Sequence, residues 1–429
     1  MISMNQRVGI EALAIAVPER FLSLEDLAVA RGVEPAKFTA GLGGREMAVA
    51  DPGEDTVALA ATAVNKLLTA HAIDVNRIGM LVVGTETAVD HSRAAASFVQ
   101  GCLSLPKHMR VYDTQHACYG GTAALMAAAD WIGAGHAHGK AAIVVCSDIA
   151  RYGLNTAGEP TQGAGAIAML VSDTPELFEL DRGVSGFAST PVFDFWRPLG
   201  SREAVVDGHY SISCYLEALS TAYAGYTAVA LDRETVRHSD ALPSEQLAHI
   251  AYHVPFCKMA KKAHFHLRKT ELEATKGRAL TGDEAAAEHS AATASFETQV
   301  ASTLWLASRI GNTYTGSLYL GLASLLHQQA QITGRHGGLL LQAGKRVGMF
   351  SYGSGNSSEF FSGVIGPNAS TVIAKADLGE LLANRTRIDM HTYETIMKMD
   401  HRHPPAGQPL PGTFRFTGMA AHKRQYAGG

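Results

Sequence analysis

The sequence predicts an α/β fold made of two similar halves. The run Ile78 to Gly84 is continuously apolar, as expected of a parallel strand that is buried on both faces. Before it, Asp55 to Ala72 places its apolar residues on one helical face. The same alternation of strands and helices recurs in the second part of the chain. We therefore expect one structural unit that occurs twice.

The first half supplies the other elements of one unit. Arg110 to Asp113 is predicted as a short strand, and Gly120 to Ile132 as a helix of small residues. Ala141 to Val145 and Ala166 to Val171 are predicted as further buried strands.

The second half follows the same order. Its predicted elements are a strand from Leu247 to Tyr252, helices over Phe296 to Ile310 and Ser317 to Leu326, and a strand from Val347 to Tyr352. We expect two domains, 1–173 and 174–429. Polar residues at equivalent strand ends of the two halves can then meet at one centre, because sites in α/β folds favour the carboxyl ends of strands.

Two segments fall outside this repeat. Lys269 to Ala294 is rich in Ala, Glu, Lys and Thr, and we predict an exposed helical excursion. The tail from Asp400 is rich in Pro and Gly and ends in a basic cluster. We predict an irregular segment that wraps the surface.

Composition restricts the class of protein. The 429 residues are 46% hydrophobic and 18% charged, with a formal net charge of −4, which is a globular composition and not that of a nucleic-acid binder. The apolar run from Val8 to Val17 contains Glu11 and lacks a basic lead, so we expect no signal peptide. We predict a cytoplasmic protein without a membrane span.

The five cysteines do not indicate disulfides or a zinc site. Their number is odd, their spacing is scattered, and no CxxC occurs. The His-x-His pairs at 264–266 and 401–403 lack a Cys or carboxylate at ligand spacing. We therefore expect no metal.

Cys118 is the best candidate for a nucleophile. It lies between a predicted strand and an Ala-rich helix, where the unpaired N–H groups of the helix start favour a thiolate. Gly120 and Gly121 allow close approach of the backbone. The alternative is a buried structural cysteine, which suits Cys146 in the middle of a strand.

Glu86 and His253 are the candidate partners of Cys118. Glu86 closes an apolar strand, so it is either a surface residue or a buried acid with a raised pKa that is suited to proton transfer. Asp90 can share its network. His253 closes another strand, where a histidine is more often structural, but Cys and His also form an acyl-transfer pair.

Two further features are weaker on their own. Lys258 and Lys262 share a helical face, which is either a solvated basic face or a phosphate clamp. Gly353-Ser354-Gly355 follows a strand and offers backbone N–H groups to an oxyanion.

At these residues the chain resembles the 3-hydroxy-3-methylglutaryl-CoA synthase family of the thiolase superfamily. The matching stretches run in family order over nearly the whole chain: Gly84–Asp90, Ala117–Thr122, Ser147–Gly153, Gly158–Ala166, Asp194–Pro198, His253–Met259, Arg309–Ser317 and Phe350–Gly355. The resemblance implies two βαβαβαββ halves, stacked as a five-layer αβαβα sandwich, and a homodimer.

The resemblance also implies roles for single residues. Cys118 would carry an acetyl group, Glu86 would move protons, and His253 would polarise the acetoacetyl group. Asn312 would orient the second substrate, and the backbone N–H groups of Cys118 and Ser354 would hold the thioester oxygen. The remaining implied residues support the site, namely Tyr152, Asp148, Asp194, Asp90 and Asn155, or meet the CoA phosphates, namely Lys258 and Lys262. The substrates would be acetyl-CoA and acetoacetyl-CoA, with no metal or redox cofactor.

Three other functions remain open at this point. Relatives in polyketide clusters perform the same addition on substrates bound to a carrier protein. A cysteine hydrolase would use Cys118 and His253 but would leave Glu86 without a role. A relative without catalytic activity would not need these three side chains intact.

Overall fold

The computed structural model describes residues 6–201, 203–335 and 343–429. Its strands are β1 (Gly9–Ala16), β2 (Arg20–Ser23), β3 (Glu46–Val49), β4 (Ile78–Gly84), β5 (Arg110–Thr114), β6 (Ala141–Ala150), β7 (Gly163–Ser172), β8 (Phe178–Ser189), β9 (Phe195–Trp196), β10 (Val205–Val206), β11 (His249–Tyr252), β12 (Arg346–Gly353), β13 (Ser357–Ile365), β14 (Thr386–Arg387), β15 (Phe414–Ala420) and β16 (Lys423–Gly428).

The helices lie between these strands. They are α1 (Leu24–Ala30), α2 (Ala36–Thr39), α3 (Thr56–Ala70), α4 (Ala95–Cys102), α5 (Gly120–Gly133), α6 (Gly208–Asp232), α7 (Cys257–Lys276), α8 (Gly282–Gln299), α9 (Ala307–Ile310), α10 (Ser317–Arg335), α11 (Ala369–Ala374), α12 (Leu378–Ala383) and α13 (Met390–Lys398). Short 3₁₀ turns lie at Val75–Arg77, Glu159–Thr161, Pro243–Gln246, Ala301–Leu304 and Tyr314–Gly316.

The sheet topology shows the predicted repeat, except that the described residues of the second half provide no counterpart of β5. The strands of the first half lie in the order β5-β4-β6-β7-β1, and those of the second half in the order β11-β12-β13-β8. In both halves a parallel pair, β4 with β6 or β11 with β12, is followed by two antiparallel pairs. The halves join where Gly9 and Ile10 of β1 pair with Glu179 and Phe178 of β8.

The strands thus form one nine-stranded sheet, whose two halves are called the first and the second sheet below. Five layers result because these two sheets pack on either side of α5 and α10. The apolar cluster between the sheets contains Leu125 of α5, Leu322 of α10, and Val144 and Met349 from strands of the two halves. A second cluster covers the outer face of the first sheet with α3 and α4, and a third covers the second sheet with α6, α7 and α8. The order is thus helices, sheet, α5 with α10, sheet, helices, as in a thiolase-like fold.

The continuous apolar runs have a direct explanation in these layers. Along β4, Val82 faces the central cluster, whereas Leu81 and Val83 face the outer one. Because side chains alternate along a strand, both faces must be apolar. The strand predicted over Ile78 to Gly84 is confirmed, and the other predicted strands lie within observed strands or overlap them.

The helix predicted over Phe296 to Ile310 is wrong as a single element. The helix α8 ends at Gln299, and a 3₁₀ turn and the short α9 follow. The hydroxyl of Thr303 donates to the Val300 carbonyl at 2.7 Å, and the amide N of Leu306 donates to Ser324 Oγ at 3.0 Å. The hydroxyls of Thr303 and Ser324 thus bond to a backbone carbonyl and an amide N that a continuous helix would use for its own backbone hydrogen bonds.

The predicted helical excursion, residues 269–294, is observed as the end of α7 and most of α8, joined by the turn after Lys276. The prediction of an irregular tail is wrong for its last part, since β15 and β16 form a hairpin. Arg415 Nη2 lies 2.7 Å from both carboxylate oxygens of Asp51, and Arg424 Nη2 donates to Asp55 Oδ2 at 2.6 Å. Asp55 also caps the start of α3.

The predicted domain boundary between residues 173 and 174 stays a prediction. It falls in the connection between β7 and β8, and residues 1–5 of the first domain lie outside the described part of the chain. In that described part, no helix is both long and apolar enough to cross a membrane.

Candidate active site

Cys118 lies in the turn between β5 and α5, close to the carboxyl end of the first sheet. The preceding residue, Ala117, has a left-handed backbone with φ of 40°, a conformation that non-glycine residues rarely adopt. Such strain is concentrated at functional sites. The Cys118 side chain is 9% exposed, and its Sγ donates to Glu86 Oε1 at 3.4 Å. The first two sequence candidates are therefore in direct contact.

Glycines allow the helix α5 to lie directly against the strand that carries Glu86. A Cβ on Gly84 would lie 2.6 Å from the Cα of Gly121, and a Cβ on Gly121 would lie 2.5 Å from Cys146 Sγ. Real side chains do not tolerate such distances, so only glycine fits. This close approach brings the start of α5 to the end of β4.

Glu86 follows the end of β4 and is 9% exposed. Burial raises the pKa of Glu86 to about 8, and the neighbouring carboxylate of Asp148 adds to this rise. The guanidinium of Arg197 and the hydrogen bond from Cys118 act in the opposite direction. The result is a carboxyl group that can both take and give a proton near neutral pH.

Asp148 holds the loop around Glu86 in place. Its Oδ1 accepts four hydrogen bonds, from the amide N of Glu86 at 2.9 Å, the Thr85 hydroxyl at 2.8 Å, and the amide N and hydroxyl of Thr87 at 3.1 and 2.7 Å. Its Oδ2 accepts the amide N and hydroxyl of Thr315, at 3.1 and 2.5 Å. The carboxylate thus links β6, the Glu86 loop and the turn before α10.

The structure contradicts the prediction that Cys118 is held as a thiolate. Burial raises the pKa of the Cys118 thiol well above its ordinary value, and the carboxylates of Glu86 and Asp148 raise it further. These effects outweigh the N–H groups of α5, since the thiol lies between acidic groups. Cys118 therefore rests as a thiol that donates to Glu86, and it must lose its proton during the reaction.

His253 is the first residue after β11 and is 4% exposed. Its amide N donates to the Phe350 carbonyl at 2.8 Å, which continues the parallel pairing of β11 with β12, and its own carbonyl accepts from the Tyr215 hydroxyl at 2.7 Å. Burial lowers the pKa of the imidazole to about 3, which keeps it neutral at physiological pH. Within the described part of the chain, no hydrogen bond to the His253 imidazole is found, which leaves it available to a ligand.

The end of β12 brings the second half to the nucleophile turn. A Cβ on Gly353 would lie 2.5 Å from the His116 carbonyl oxygen and 2.7 Å from the amide N of Tyr119. Ser354 follows directly, so its backbone lies beside the turn that carries Cys118. No hydrogen bond joins His253 to Cys118 in the described residues.

Asp194 holds the turn after β12. It is fully buried and accepts hydrogen bonds from the Tyr352 hydroxyl at 2.6 Å, the Gly355 amide N at 2.8 Å and the Ser211 hydroxyl at 3.2 Å. Two of these donors flank Ser354 in sequence. Asp194 therefore has the same kind of role in the second half that Asp148 has in the first.

An aromatic wall covers Cys118. Tyr314 and Phe195 pack with Cys118 and Ala150, and the Phe195 ring makes edge contacts with Tyr314 and Tyr152 at 5.7 and 6.5 Å between centroids. Such a wall excludes water from the thiol.

Asn312 and Tyr152 are positioned by polar contacts of their own. Asn312 Oδ1 accepts from the amide N of Tyr314 at 2.8 Å, which fixes the turn that carries this ring. The amide N of Tyr152 donates to Gln162 Oε1 at 2.9 Å. Asn312 and Tyr152 are both buried, and their predicted roles in the site stay predictions.

Two predicted site residues point elsewhere. Asp90 is exposed and accepts from the amide N of Ser92 and Arg93, both at 2.8 Å, so the prediction that it shares the Glu86 network is wrong. The chain turns outward after Thr87, and Asp90 closes that turn. Asn155 is also exposed, and its amide N donates to Glu159 Oε2 at 3.0 Å, so no contact with Cys118 or Glu86 is found among the described residues.

Lys258 and Lys262 are exposed on the first turns of α7. The amide N of Lys258 donates to the Leu42 carbonyl at 2.9 Å, which ties the start of α7 to the segment before β3. Lys258 and Lys262 lie five and nine residues after His253 in the sequence. Their predicted contact with CoA phosphates stays a prediction.

Sequence reasoning missed Arg197 and the threonines around Asp148. Arg197 donates to the backbone carbonyl of Glu86. Thr85 and Thr315 lie within the matching stretches, but their hydroxyls gave no separate signal because threonine is common at strand ends. Across residues 6–201, 203–335 and 343–429, no group of three or more His, Cys, Asp or Glu side chains is arranged to hold a metal ion.

Family models match both parts of the chain. The model "Hydroxymethylglutaryl-coenzyme A synthase N terminal" matches residues 4–175. The model "Hydroxymethylglutaryl-coenzyme A synthase C terminal" matches residues 178–283 and 273–407.

Curated relatives agree with the family models. The hydroxymethylglutaryl-CoA synthase of Enterococcus faecalis is 35% identical over 389 residues, which cover 91% of each chain. The mitochondrial hydroxymethylglutaryl-CoA synthase of Homo sapiens is 34% identical over 462 residues, which cover 98% of this chain and 89% of the human protein.

Solved structures extend the comparison. MvaS in complex with 3-hydroxy-3-methylglutaryl coenzyme A is 60% identical, with a TM-score of 0.94 and 99% coverage of both chains. The HMG synthase of the curacin biosynthetic pathway, in complex with an acetyl donor-ACP, is 29% identical with a TM-score of 0.80, and the match covers 98% of this chain and 100% of that one. The fold, the models and the relatives together show that the chain belongs to the hydroxymethylglutaryl-CoA synthase family.

Proposed function

We propose that the protein is a hydroxymethylglutaryl-CoA synthase of the mevalonate pathway. It joins acetyl-CoA, acetoacetyl-CoA and water to give 3-hydroxy-3-methylglutaryl-CoA and free CoA, which makes it an acyltransferase. The observation that carries the proposal is the contact between Cys118 Sγ and Glu86 Oε1 in a buried site, 3.4 Å apart. A nucleophile and a base within reach of each other are what acyl transfer followed by carbon–carbon bond formation requires.

The first step transfers the acetyl group to Cys118. Sulfur attacks the thioester carbonyl, the bond from that carbon to CoA breaks, and CoA leaves as a thiol. The proton of Cys118 passes through Glu86, which already accepts its hydrogen bond, to the departing sulfur. Backbone N–H groups of Cys118 and Ser354 hold the carbonyl oxygen while it carries negative charge.

The second step forms the carbon–carbon bond. The Glu86 carboxylate removes a proton from the acetyl methyl, and the resulting carbon adds to the C3 ketone of acetoacetyl-CoA. Glu86 then returns a proton to the new alkoxide, a double role that suits a pKa of about 8. Water finally cleaves the bond to Cys118 Sγ, which regains its proton. The thioester itself acidifies the methyl group, so no metal or redox cofactor takes part in this scheme.

The second half of the protein binds the second substrate in this scheme. His253 is neutral because burial lowers its pKa to about 3, so it polarises the ketone as a hydrogen-bond donor. Asn312 orients the acetoacetyl chain, and Lys258 and Lys262 meet the CoA phosphates as cations on a flexible stem.

A substrate bound to a carrier protein is the alternative, and two observations favour CoA. The relative solved with an acetyl donor-ACP is 29% identical, whereas MvaS, solved with 3-hydroxy-3-methylglutaryl coenzyme A, is 60% identical. The basic residues that follow His253 also suit a phosphate-bearing free cofactor. A homodimer in the cytoplasm is part of the proposal. The homodimer rests on the family resemblance, and the location rests on the sequence pattern.

Labelled acetyl-CoA tests the proposal. The wild-type protein should carry label on Cys118 and should release labelled 3-hydroxy-3-methylglutaryl-CoA when acetoacetyl-CoA is added. Cys118→Ala should neither bind label nor make product, whereas Cys102→Ala, a half-buried cysteine outside the site, should behave as wild type. A folded wild-type protein that stays unlabelled would exclude the synthase function. Faster labelling from an acetylated carrier protein than from acetyl-CoA would favour the alternative.

A further inference from the structure

A short hairpin from the second half lies over Glu86. Its strands β9 and β10 pair through Phe195 with Val206 and through Trp196 with Val205. Asp194, directly before the hairpin, is fully buried, and Phe195 belongs to the wall around Cys118. The hairpin is therefore anchored at its base and reaches the site with the residues that follow.

Arg197 connects this hairpin to the proposed base. Its Nη2 donates to the backbone carbonyl oxygen of Glu86, across 111 positions of sequence. Arg197 is half-buried, so its guanidinium is partly shielded from water at this contact. A hydrogen bond to the main chain of Glu86 restrains the position of that residue directly.

The groups that face Glu86 come from several elements. Asp148 of β6 brings a carboxylate, Cys118 brings a thiol from the turn before α5, and the hydroxyls of Tyr152 and Tyr314 lie nearby. Among the described residues that shift the pKa of Glu86, Arg197 is the one with a positive charge. Arg197 and the hydrogen bond from Cys118 therefore oppose the effects of burial and of the neighbouring anion on the Glu86 carboxylate.

We propose that Arg197 is a positioning residue that holds the main chain of Glu86 in place and favours the ionised form of its side chain, which removes the methyl proton. This inference rests on the proposed function and adds a residue to it. Arginine suits the task because its charge persists at every physiological pH and its planar fork gives directed hydrogen bonds. Lysine would keep the charge but would lose this geometry.

The test compares Arg197→Gln and Arg197→Lys with the control Arg233→Gln. Arg233 is an exposed arginine at the end of α6, and its Nε lies 3.9 Å from the carboxylate of Asp232. For each variant, labelling of Cys118 and kcat for condensation are measured between pH 6 and pH 9.5, with KM for acetoacetyl-CoA and a thermal unfolding curve.

We expect Arg197→Gln to become labelled on Cys118 while its condensation requires a higher pH. Loss of an opposite charge near a carboxylate moves the acidic limb of the kcat profile upward by about one pH unit. At pH 7 condensation then falls by about tenfold and recovers largely at pH 9, with little change in KM. Arg197→Lys should lie between Gln and wild type, and Arg233→Gln should match wild type.

An acidic limb that stays in place in Arg197→Gln would overturn the inference, and so would a loss of activity that is equal at every pH, since this indicates a purely structural role. If Arg197→Gln does not fold, Arg197→Lys decides by the same criterion. Wild-type protein that makes no 3-hydroxy-3-methylglutaryl-CoA would instead overturn the proposed function.

Discussion

The two halves present similar strand ends to the site, but the ends differ in electrostatic character. The first half brings Cys118 and Glu86, which share a hydrogen bond and stand beside the buried Asp148. The second half brings His253 and Asn312, which are buried and carry no charge at neutral pH. Repetition of one topology has therefore produced one proton-exchanging end and one neutral binding end.

The physical origin of this difference is the set of neighbours at each end. Burial acts on both Glu86 and His253, and in each case it favours the uncharged form. Beside Glu86, Asp148 adds to that effect and the pKa rises to about 8, close to working pH. Beside His253, no charged partner among the described residues opposes burial, and the pKa of the imidazole falls to about 3. Only the first group can exchange a proton readily near neutrality.

Glu86→Gln should produce the largest change in the first half. The amide cannot remove the methyl proton, so we expect condensation to fall by about 10³-fold, within the usual range for loss of a general base. Labelling of Cys118 should be slower, because Glu86 no longer relays the thiol proton, but should remain detectable, because sulfur and the oxyanion donors are intact. Rapid-quench measurement of both steps separates them. Normal condensation by this variant would show that Glu86 is not the base.

His253→Ala should affect the second half and leave the first half active. We expect kcat/KM for acetoacetyl-CoA to fall by about 10²-fold, since one donor to the ketone is lost. Cys118 should be labelled at a rate close to that of wild type. Steady-state kinetics with each substrate varied in turn checks this, and a deficit confined to labelling would contradict the division between the halves.

The pH dependence of condensation should follow the titration of Glu86 and not that of His253. Because the raised pKa of Glu86 lies at about 8, its reactive carboxylate forms as pH rises through 8. Condensation should therefore fall by about fivefold from pH 8 to pH 7, as expected for a single base of this pKa. A limb near pH 6.5 that disappears in His253→Ala would instead assign the titration to an exposed imidazole.

Thr315→Val should have the smallest effect. It removes the hydroxyl that donates to Asp148 Oδ2 and lies 3.0 Å from the Gly84 carbonyl oxygen. We expect the free energy of unfolding to fall by about 1–2 kcal/mol, the usual result of losing a buried hydrogen bond. Chemical denaturation measures this, and the matched variant Thr293→Val, on the exposed face of α8, should change it little.

The strands could be predicted from sequence because burial on both faces leaves a continuous apolar run, as from Ile78 to Gly84. The end of α8 at Gln299 could not be predicted, since the chain after it is held by Ser324 of α10, whose Oγ accepts from the amide N of Leu306. The hairpin of β15 and β16 escaped prediction for the same reason, because Asp51 and Asp55 hold it from the other end of the sequence.

The site residues could likewise be predicted only in part from the sequence. Cys118, Glu86 and His253 could be recognised in the sequence because each lies next to an apolar strand or helix. A reactive side chain at such a position indicates a functional role. The protonation of the Cys118 thiol could not be predicted, since it depends on acids that only the fold brings near. Arg197 was hidden because its target is a backbone carbonyl, which leaves no trace in the pattern of side chains.

The ion pairs of the hairpin of β15 and β16 affect where a protease can cleave the chain. Arg402 is exposed in the irregular segment before β15, whereas Arg415 and Arg424 are bound to Asp51 and Asp55. Brief digestion with trypsin should therefore nick the chain after Arg402 and leave the bonds after Arg415 and Arg424 intact. The two fragments would migrate together in gel filtration and separate only when denatured, so the hairpin behaves as a part that stays attached without its covalent link.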